Sequence, residues 1–329
     1  MHIDTGSYGA PATPWDDPRW RRDALAWAES SLAVHGRQPA GREGYGVRLR
    51  PWSVVVRIPA RDGRVVWFKA NPPGSAFEPA LSQALHNWTP GRVLAPLAVD
   101  TGRAWSLLPD GGPLLAQVLD DERPDPRCWE EPLRQYAALQ REIVPRVAEL
   151  AALGVPDLRP AALPGRLTAL LDRTAGLDDV RQLVPQVAAW CTELESSGVS
   201  PSLDHSDLHE GQVFHDGNGR CVFFDWGDSA LAHPFTSLLV IARLTRKRFG
   251  ADSPAVLARL RDAYLEPWAG DGHSAADLRR FASLACRVGP VGRALAWDRC
   301  FPGTDGRPQA VPDANIVSWV RELADEPPL

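Results

Sequence analysis

The chain has 329 residues, 44% of them hydrophobic, with 36 Lys and Arg against 41 Asp and Glu for a net charge of -5. That is enough chain and enough apolar content for one large domain or two lobes around a sizeable core. The mild acidity argues against a nucleic-acid binder, which carries a basic face, and is compatible with a cationic small substrate.

The five cysteines, Cys128, Cys191, Cys221, Cys286 and Cys300, are scattered and form no C-x-x-C pair, so reduced thiols are expected rather than a disulfide framework. The start has neither a basic region nor an apolar stretch of the secretory kind, and no apolar run is long enough to cross a bilayer. A soluble, cytoplasmic protein with no nucleic-acid or membrane partner is the expectation; its oligomeric state is not legible.

Residues 1 to 15, rich in Gly, Pro and Ser, read as a loose arm. Asp17-Pro18 supplies a cap and a first helical residue, and Trp20, Ala24, Trp27 and Ser31 recur at helical spacing up to a stop at Gly36. This helix is expected to pack its Trp residues into core. From residue 45 the period becomes two. Val47–Arg50 and Val54–Ile58 read as strands around the turn Pro51-Trp52-Ser53, and Asp62-Gly63 signals a hairpin into a third strand, Arg64–Lys69. A short helix from Glu78 to Trp88 follows, then strands over 93–99 and 104–108 and the turn Pro109–Gly112. The pattern beyond is helical. Leu133, Tyr136, Leu139, Ile143, Val147 and Leu150 fall three and four apart with a kink at Pro145, and further helices are expected at 164–175, 179–195, 234–248, 253–266, 275–299 and 312–325. The domain plan is an N-terminal arm and helix over 1–44, a small lobe over 45–112 and a helical lobe over 113–329.

One polar break interrupts the helices. It reads Asp204-His205-Ser206-Asp207-Leu208-His209-Glu210-Gly211-Gln212, then the turn Asp216–Gly219, then Cys221-Val222-Phe223-Phe224-Asp225-Trp226-Gly227-Asp228, with His233-Pro234 ahead of the next helix. This segment resembles the catalytic and metal-binding loops of the aminoglycoside phosphotransferase and choline kinase-like superfamily. Those loops run His-x-Asp-Leu-His-x-x-Asn, a hairpin, then Ile-Asp-Trp. The resemblance implies an α+β, bilobal, protein-kinase-like fold with a small five-stranded N-lobe and a mostly helical C-lobe. It also implies ATP-dependent transfer of phosphate to the hydroxyl of a small molecule, with Mg²⁺ as cofactor.

Phosphoryl transfer needs positioned phosphates, metal ions and an acceptor for the alcohol proton rather than covalent help. Asp207 suits the proton acceptor, and Gln212 and Asp225 the metal ligands. The resemblance assigns Lys69 to the donor phosphates and Glu78 to its ion pair, since they close the third strand and open the next helix. His205 and His209 read as braces of the loop, with His209 also a candidate for the substrate mouth. Two departures stand out. No Gly-rich loop covers the phosphates, which leaves Ser53 and backbone amides for that task, and Gln212 replaces the family's Asn with a side chain one methylene longer. Glu210 and Asp228, with Asp298 more distant, are acidic candidates for an amine-bearing acceptor such as an aminoglycoside; a sugar or metabolite hydroxyl is the other reading, and GTP stands beside ATP as donor. The alternatives are a nucleotide-binding regulatory protein of the same fold, motivated by Gln212, and a metallohydrolase, for which the other His residues form no supporting cluster.

Overall fold

Alternation at period two places Val54, Val56 and Ile58 on one face of a strand, and Val66, Phe68 and Ala70 on the same face of its neighbour, all fully buried. The computed structural model, which describes residues 1–6, 13–119, 125–300 and 313–329, builds a mixed six-stranded sheet on this face. Its strands are β1 (His2–Asp4), β2 (Gly46–Arg50), β3 (Ser53–Pro59), β4 (Val65–Ala70), β5 (Ala98–Asp100) and β6 (Trp105–Pro109), in the order β1-β2-β3-β4-β6-β5. The Asp62-Gly63 turn joins β3 to β4 as expected; Gly63 takes φ 81° and the Arg64 N–H bonds back to Asp62 Oδ1 at 3.1 Å. The expected strand at 93–99 is pushed late, to β5.

The five-stranded expectation is corrected by β1. Instead of belonging wholly to a loose arm, His2–Asp4 pairs in parallel with Gly46–Arg48. Asp4 Oδ2 holds Arg50 Nη2 at 2.8 Å and its Oδ1 accepts the Gly6 N–H at 2.8 Å, so a short polar segment is fixed by charge and a turn rather than by apolar burial. Residues 7–12 of the expected arm lie outside the described residues.

Helix α1 (Pro18–Val34) starts where the Asp17 side chain caps the Arg19 N–H and Pro18 sets the first turn. It buries Ala24, Leu25, Ala28 and Leu32 in the core of the sheet. Trp20 and Trp27 stand edge-on or tilted to Trp105 with ring centres 5.7 Å away in both cases, and Trp27 meets Phe68 at 5.9 Å. Trp20 and Trp27 are partly buried and pack against the core, as the helical spacing predicts. Helix α2 (Glu78–Trp88) buries Leu81 and Leu85.

The helical remainder comprises α3 (Leu115–Val118), α4 (Arg127–Ile143), α5 (Val147–Ala152), α6 (Leu163–Arg173), α7 (Asp178–Arg181), α8 (Val184–Ser196), α9 (Leu238–Phe249), α10 (Ser253–Leu265), α11 (Ala275–Cys300) and α12 (Asp313–Arg321). Pro145 interrupts α4 and α5 with a 3₁₀ turn, and Pro185 at the start of α8 splits the helix expected over 179–195. Two short ribbons break the helices: β7 (Ser202–Asp204) with β10 (Ala230–Ala232), and β8 (Val213–His215) with β9 (Cys221–Phe223), both antiparallel.

The chain divides into two compact units. The first comprises Met1–Gly112, Phe224–Gly227 and Asp298–Gln309; the second comprises Pro113–Phe223, Asp228–Trp297 and Ala310–Leu329. Among the described residues no helix is long and apolar enough to cross a membrane, and the five cysteines are free.

Candidate active site

In the first unit the odd positions of β4 point away from the aromatic core, and this carries Lys69 to the opposite face of the central strand, between Val55 and Ser106. Its ammonium lies 2.7 Å from Glu78 Oε1 and 2.5 Å from Asp225 Oδ1. Glu78 is the first residue of α2, where unpaired N–H groups favour an anion. Its two oxygens also accept bonds from Asn71 Nδ2 and, at 3.0 Å, from the Trp226 N–H. Burial alone would strip Lys69 of its proton, but the Asp225 and Glu78 carboxylates outweigh it and hold the ammonium well above the usual lysine range. One buried cation therefore faces two carboxylates. A Cβ at Gly227 would sit 3.0 Å from Glu78 Oε2, a close approach that the absent side chain avoids. Asp225 itself takes φ 66°, in the left-handed region that costs an ordinary residue about 1–2 kcal/mol. Its carboxylate remains about one-third exposed. Ser53 begins β3 and is buried.

In the second unit the polar break is anchored from below. Ser202 Oγ donates to the Gln140 carbonyl at 2.6 Å, and the fully buried Gln140 side chain donates to the Leu203 carbonyl at 2.8 Å. The Tyr136 hydroxyl receives the His205 N–H at 2.9 Å. Asp204, buried at the end of β7, accepts four bonds: from the Ser206 N–H and hydroxyl at 2.9 Å, from Thr236 at 3.0 Å and from Ser237 at 2.6 Å. This fixes Ser206 at φ 62° and turns the chain sharply ahead of Asp207. His205 is fully buried with its ring against Tyr136.

Asp207 emerges about one-third exposed, with Oδ1 3.0 Å from Arg293 Nη2. The other terminal nitrogen of Arg293 donates to the Ser206 carbonyl at 2.8 Å and to Asp228 Oδ2 at 2.9 Å. Arg293 is buried in α11 with its guanidinium 5.6 Å above the Trp319 ring. Burial opposes its charge, and Asp228 and Asp207 restore it. Sequence reasoning missed this residue, since an Arg in an amphipathic helix carries no local signal of its partners. His209 Nε2 lies 3.7 Å from Asp207 Oδ2, beyond hydrogen-bond reach, while its Nδ1 accepts the Gly211 N–H at 3.0 Å. Glu210 pairs with Arg248 at 3.5 Å. Gln212 ends the 3₁₀ turn that starts at Glu210, with its N–H on the His209 carbonyl. The structure thus joins Lys69, Glu78 and Asp225 in one cluster and Asp207 and Asp228 around Arg293 in another, with His209 3.7 Å from Asp207; Asp298 belongs with the first unit.

His233 closes the second cluster's framework. Its Nδ1 caps the turn at Phe235, at 3.3 Å, and Nε2 is buried with no hydrogen-bond partner among the described residues. Burial holds its pKa near 3 instead of 6.5. The unfolded chain takes up this proton first, so the stability His233 contributes is complete above about pH 6.5 and lost progressively down to about pH 3. Relative to a His233→Asn variant, which keeps a capping acceptor, the parent is expected to lose about 2 kcal/mol between pH 7 and pH 5. Urea midpoints at the two pH values measure this, and parallel slopes would show that the imidazole is not held neutral.

Residues 40–278 match the family model described as APH, phosphotransferase enzyme family. A stretch of 155 residues, 46% of the chain, is 30% identical to an uncharacterized protein of Mycobacterium tuberculosis, Rv0647c, and the match spans 29% of that relative's length. Among solved structures, the chain resembles a choline/ethanolamine kinase family protein from Mesorhizobium loti, with a TM-score of 0.59 and 15% identity over 92% of each chain. A macrolide 2'-phosphotransferase type I gives a TM-score of 0.56 and 17% identity, covering 91% of this chain and 96% of that one. The structure of APH(2")-IIia with GDP and kanamycin gives 0.57 and 15%, covering 93% and 98%. These likenesses establish the protein-kinase-like fold.

Proposed function

The chain belongs to the APH phosphotransferase enzyme family, and from that premise we propose that it transfers the γ-phosphate of ATP to a hydroxyl of a small molecule. The observation that carries this reading is the buried cluster of Lys69 with Glu78 and Asp225. A lysine costly to bury is held charged by two carboxylates, one of them partly exposed, which is the arrangement a donor phosphate can exploit. Lys69 would contact the donor phosphates with Glu78 orienting it. Asp207 would accept the hydroxyl proton, and Arg293 would fix the direction in which its carboxylate points. Ser53 and neighbouring amides remain candidates for the phosphates.

Mg²⁺ would be held by Asp225 and Gln212. Both offer hard oxygen donors, the kind that magnesium sites of phosphotransferases combine with water and phosphate oxygens. When bound, the metal neutralises charge on the phosphates. Gln212 favours a second reading, a nucleotide-binding regulatory protein, because its longer side chain alters the reach of the amide oxygen.

One assay separates the readings: ADP release at stepped Mg²⁺ across aminoglycosides, choline-like amines, sugars, nucleosides and hydroxy acids. The phosphotransferase is expected to release ADP only with both Mg²⁺ and an acceptor. Nucleotide binding without turnover for any acceptor would leave the regulator, and phosphoester cleavage without nucleotide would indicate a metallohydrolase.

A further inference from the structure

Of the three acidic side chains that the sequence offers for an amine-bearing acceptor, the two in the second unit are already neutralised. Asp228 is bonded to Arg293 at 2.9 Å, and Glu210 is paired with Arg248 at 3.5 Å. Glu210 and Arg248 line a cavity of about 280 Å³, three residues along the chain from Asp207, together with Lys247 and the apolar faces of Trp129, Leu244 and Phe249. Lys247 is exposed and forms no ion pair or hydrogen bond among the described residues. The described charges at the cavity are therefore one carboxylate against two cations. Such a wall repels an ammonium-rich ligand and attracts an anion, while the aromatic and aliphatic side chains suit a compact apolar body. The volume falls just under the usual range for drug-sized ligands, about 300–1,000 Å³.

We propose that the acceptor is an alcohol carrying one anionic group on a small aromatic or branched body, seated in this cavity, and not a polyamine such as an aminoglycoside. The anion would lie against Lys247 and Arg248 and the body against Trp129 and Phe249. The proposal rests on the phosphotransferase reading, because only that reading requires an acceptor.

The test compares 3-phenyllactate with phenylalaninol, which exchanges a carboxylate for an amine on a similar hydroxylated body, and with kanamycin. Binding to the parent protein is followed by calorimetry in the presence of Mg²⁺ and a non-hydrolysable ATP analogue. Phenyllactate is expected to bind about tenfold or more tightly than phenylalaninol, and Lys247→Glu to erase or invert that preference, as reversal of one unit charge close to the ligand requires. Lys247 is exposed on α9, so its replacement leaves the packing of the helix intact. Equal or reversed preference in the parent, no measurable phenyllactate binding, or a preference unchanged in Lys247→Glu would each overturn the proposal. Affinity for the ATP analogue is measured in the same preparation. If it is present while the preference is absent, only the anionic acceptor fails; if the nucleotide does not bind, the phosphotransferase reading fails and the acceptor role with it.

Discussion

Asp225→Asn is expected to abolish the Mg²⁺-dependent part of nucleotide affinity and to lower turnover by roughly 10²–10³, the scale set by removing one group that stabilises transition-state charge. Asn is the informative replacement because it tolerates the left-handed backbone at φ 66° better than Ala, so the loss reports charge and not strain. Lys69 keeps Glu78 at 2.7 Å, and Glu78 keeps the Trp226 N–H. The buried ammonium therefore retains a partner, and the fold is expected to survive. Calorimetry of ATP binding with and without Mg²⁺ reads the effect directly: the two affinities should converge in the variant. An undiminished response to Mg²⁺ would remove Asp225 from the metal site.

Asp207→Asn is expected to lower turnover by about 10²–10⁴, the usual contribution of a general base, with the nucleotide affinity nearly unchanged. The variant keeps an oxygen that can accept from Arg293, and Arg293 keeps the Ser206 carbonyl and Asp228. Position is thereby preserved while basicity is lost. Rapid-mix measurement of the chemical step, beside a nucleotide dissociation constant, separates this from a folding defect. Parent-like turnover would exclude Asp207 as the base.

In the first cluster Lys69 and Glu78 were legible through the family resemblance, which assigns them to one ion pair. Strand parity, which sends Lys69 to the face opposite Phe68, and the opening of the next helix at Glu78 fit that assignment, while Asp225 lies 156 residues from Lys69. Asp207 was legible for a different reason, the density of polar residues over 204–210 in an otherwise helical stretch. Arg293 was not. Its partners lie 65 and 86 residues earlier (Asp228 and Asp207), and nothing in the α11 pattern distinguishes it from the exposed arginines of the same helix. The strand at His2–Asp4 escaped notice because three residues cannot display alternation, and the Arg50–Asp4 contact that fixes it is long-range. Likewise, the Asp204 network depends on Thr236 and Ser237, which meet it only once β7 and β10 pair.

The membership of Phe224–Gly227 in the first compact unit has a consequence for biosynthesis. A nascent chain that has reached Gly112 holds the whole sheet and α2, yet lacks the Asp225 carboxylate and the Trp226 N–H that complete the surroundings of Lys69 and Glu78. Another 115 residues, the difference between positions 112 and 227, must be translated first. At ribosomal rates of about 5–20 residues per second this takes roughly 6–23 s. During that interval the half-made protein carries a lysine and a glutamate in an unfinished pocket, so a chain released early is expected to expose them and be a substrate for quality-control proteases. A fragment ending at Gly112 is for the same reason a poor stand-in for the first compact unit.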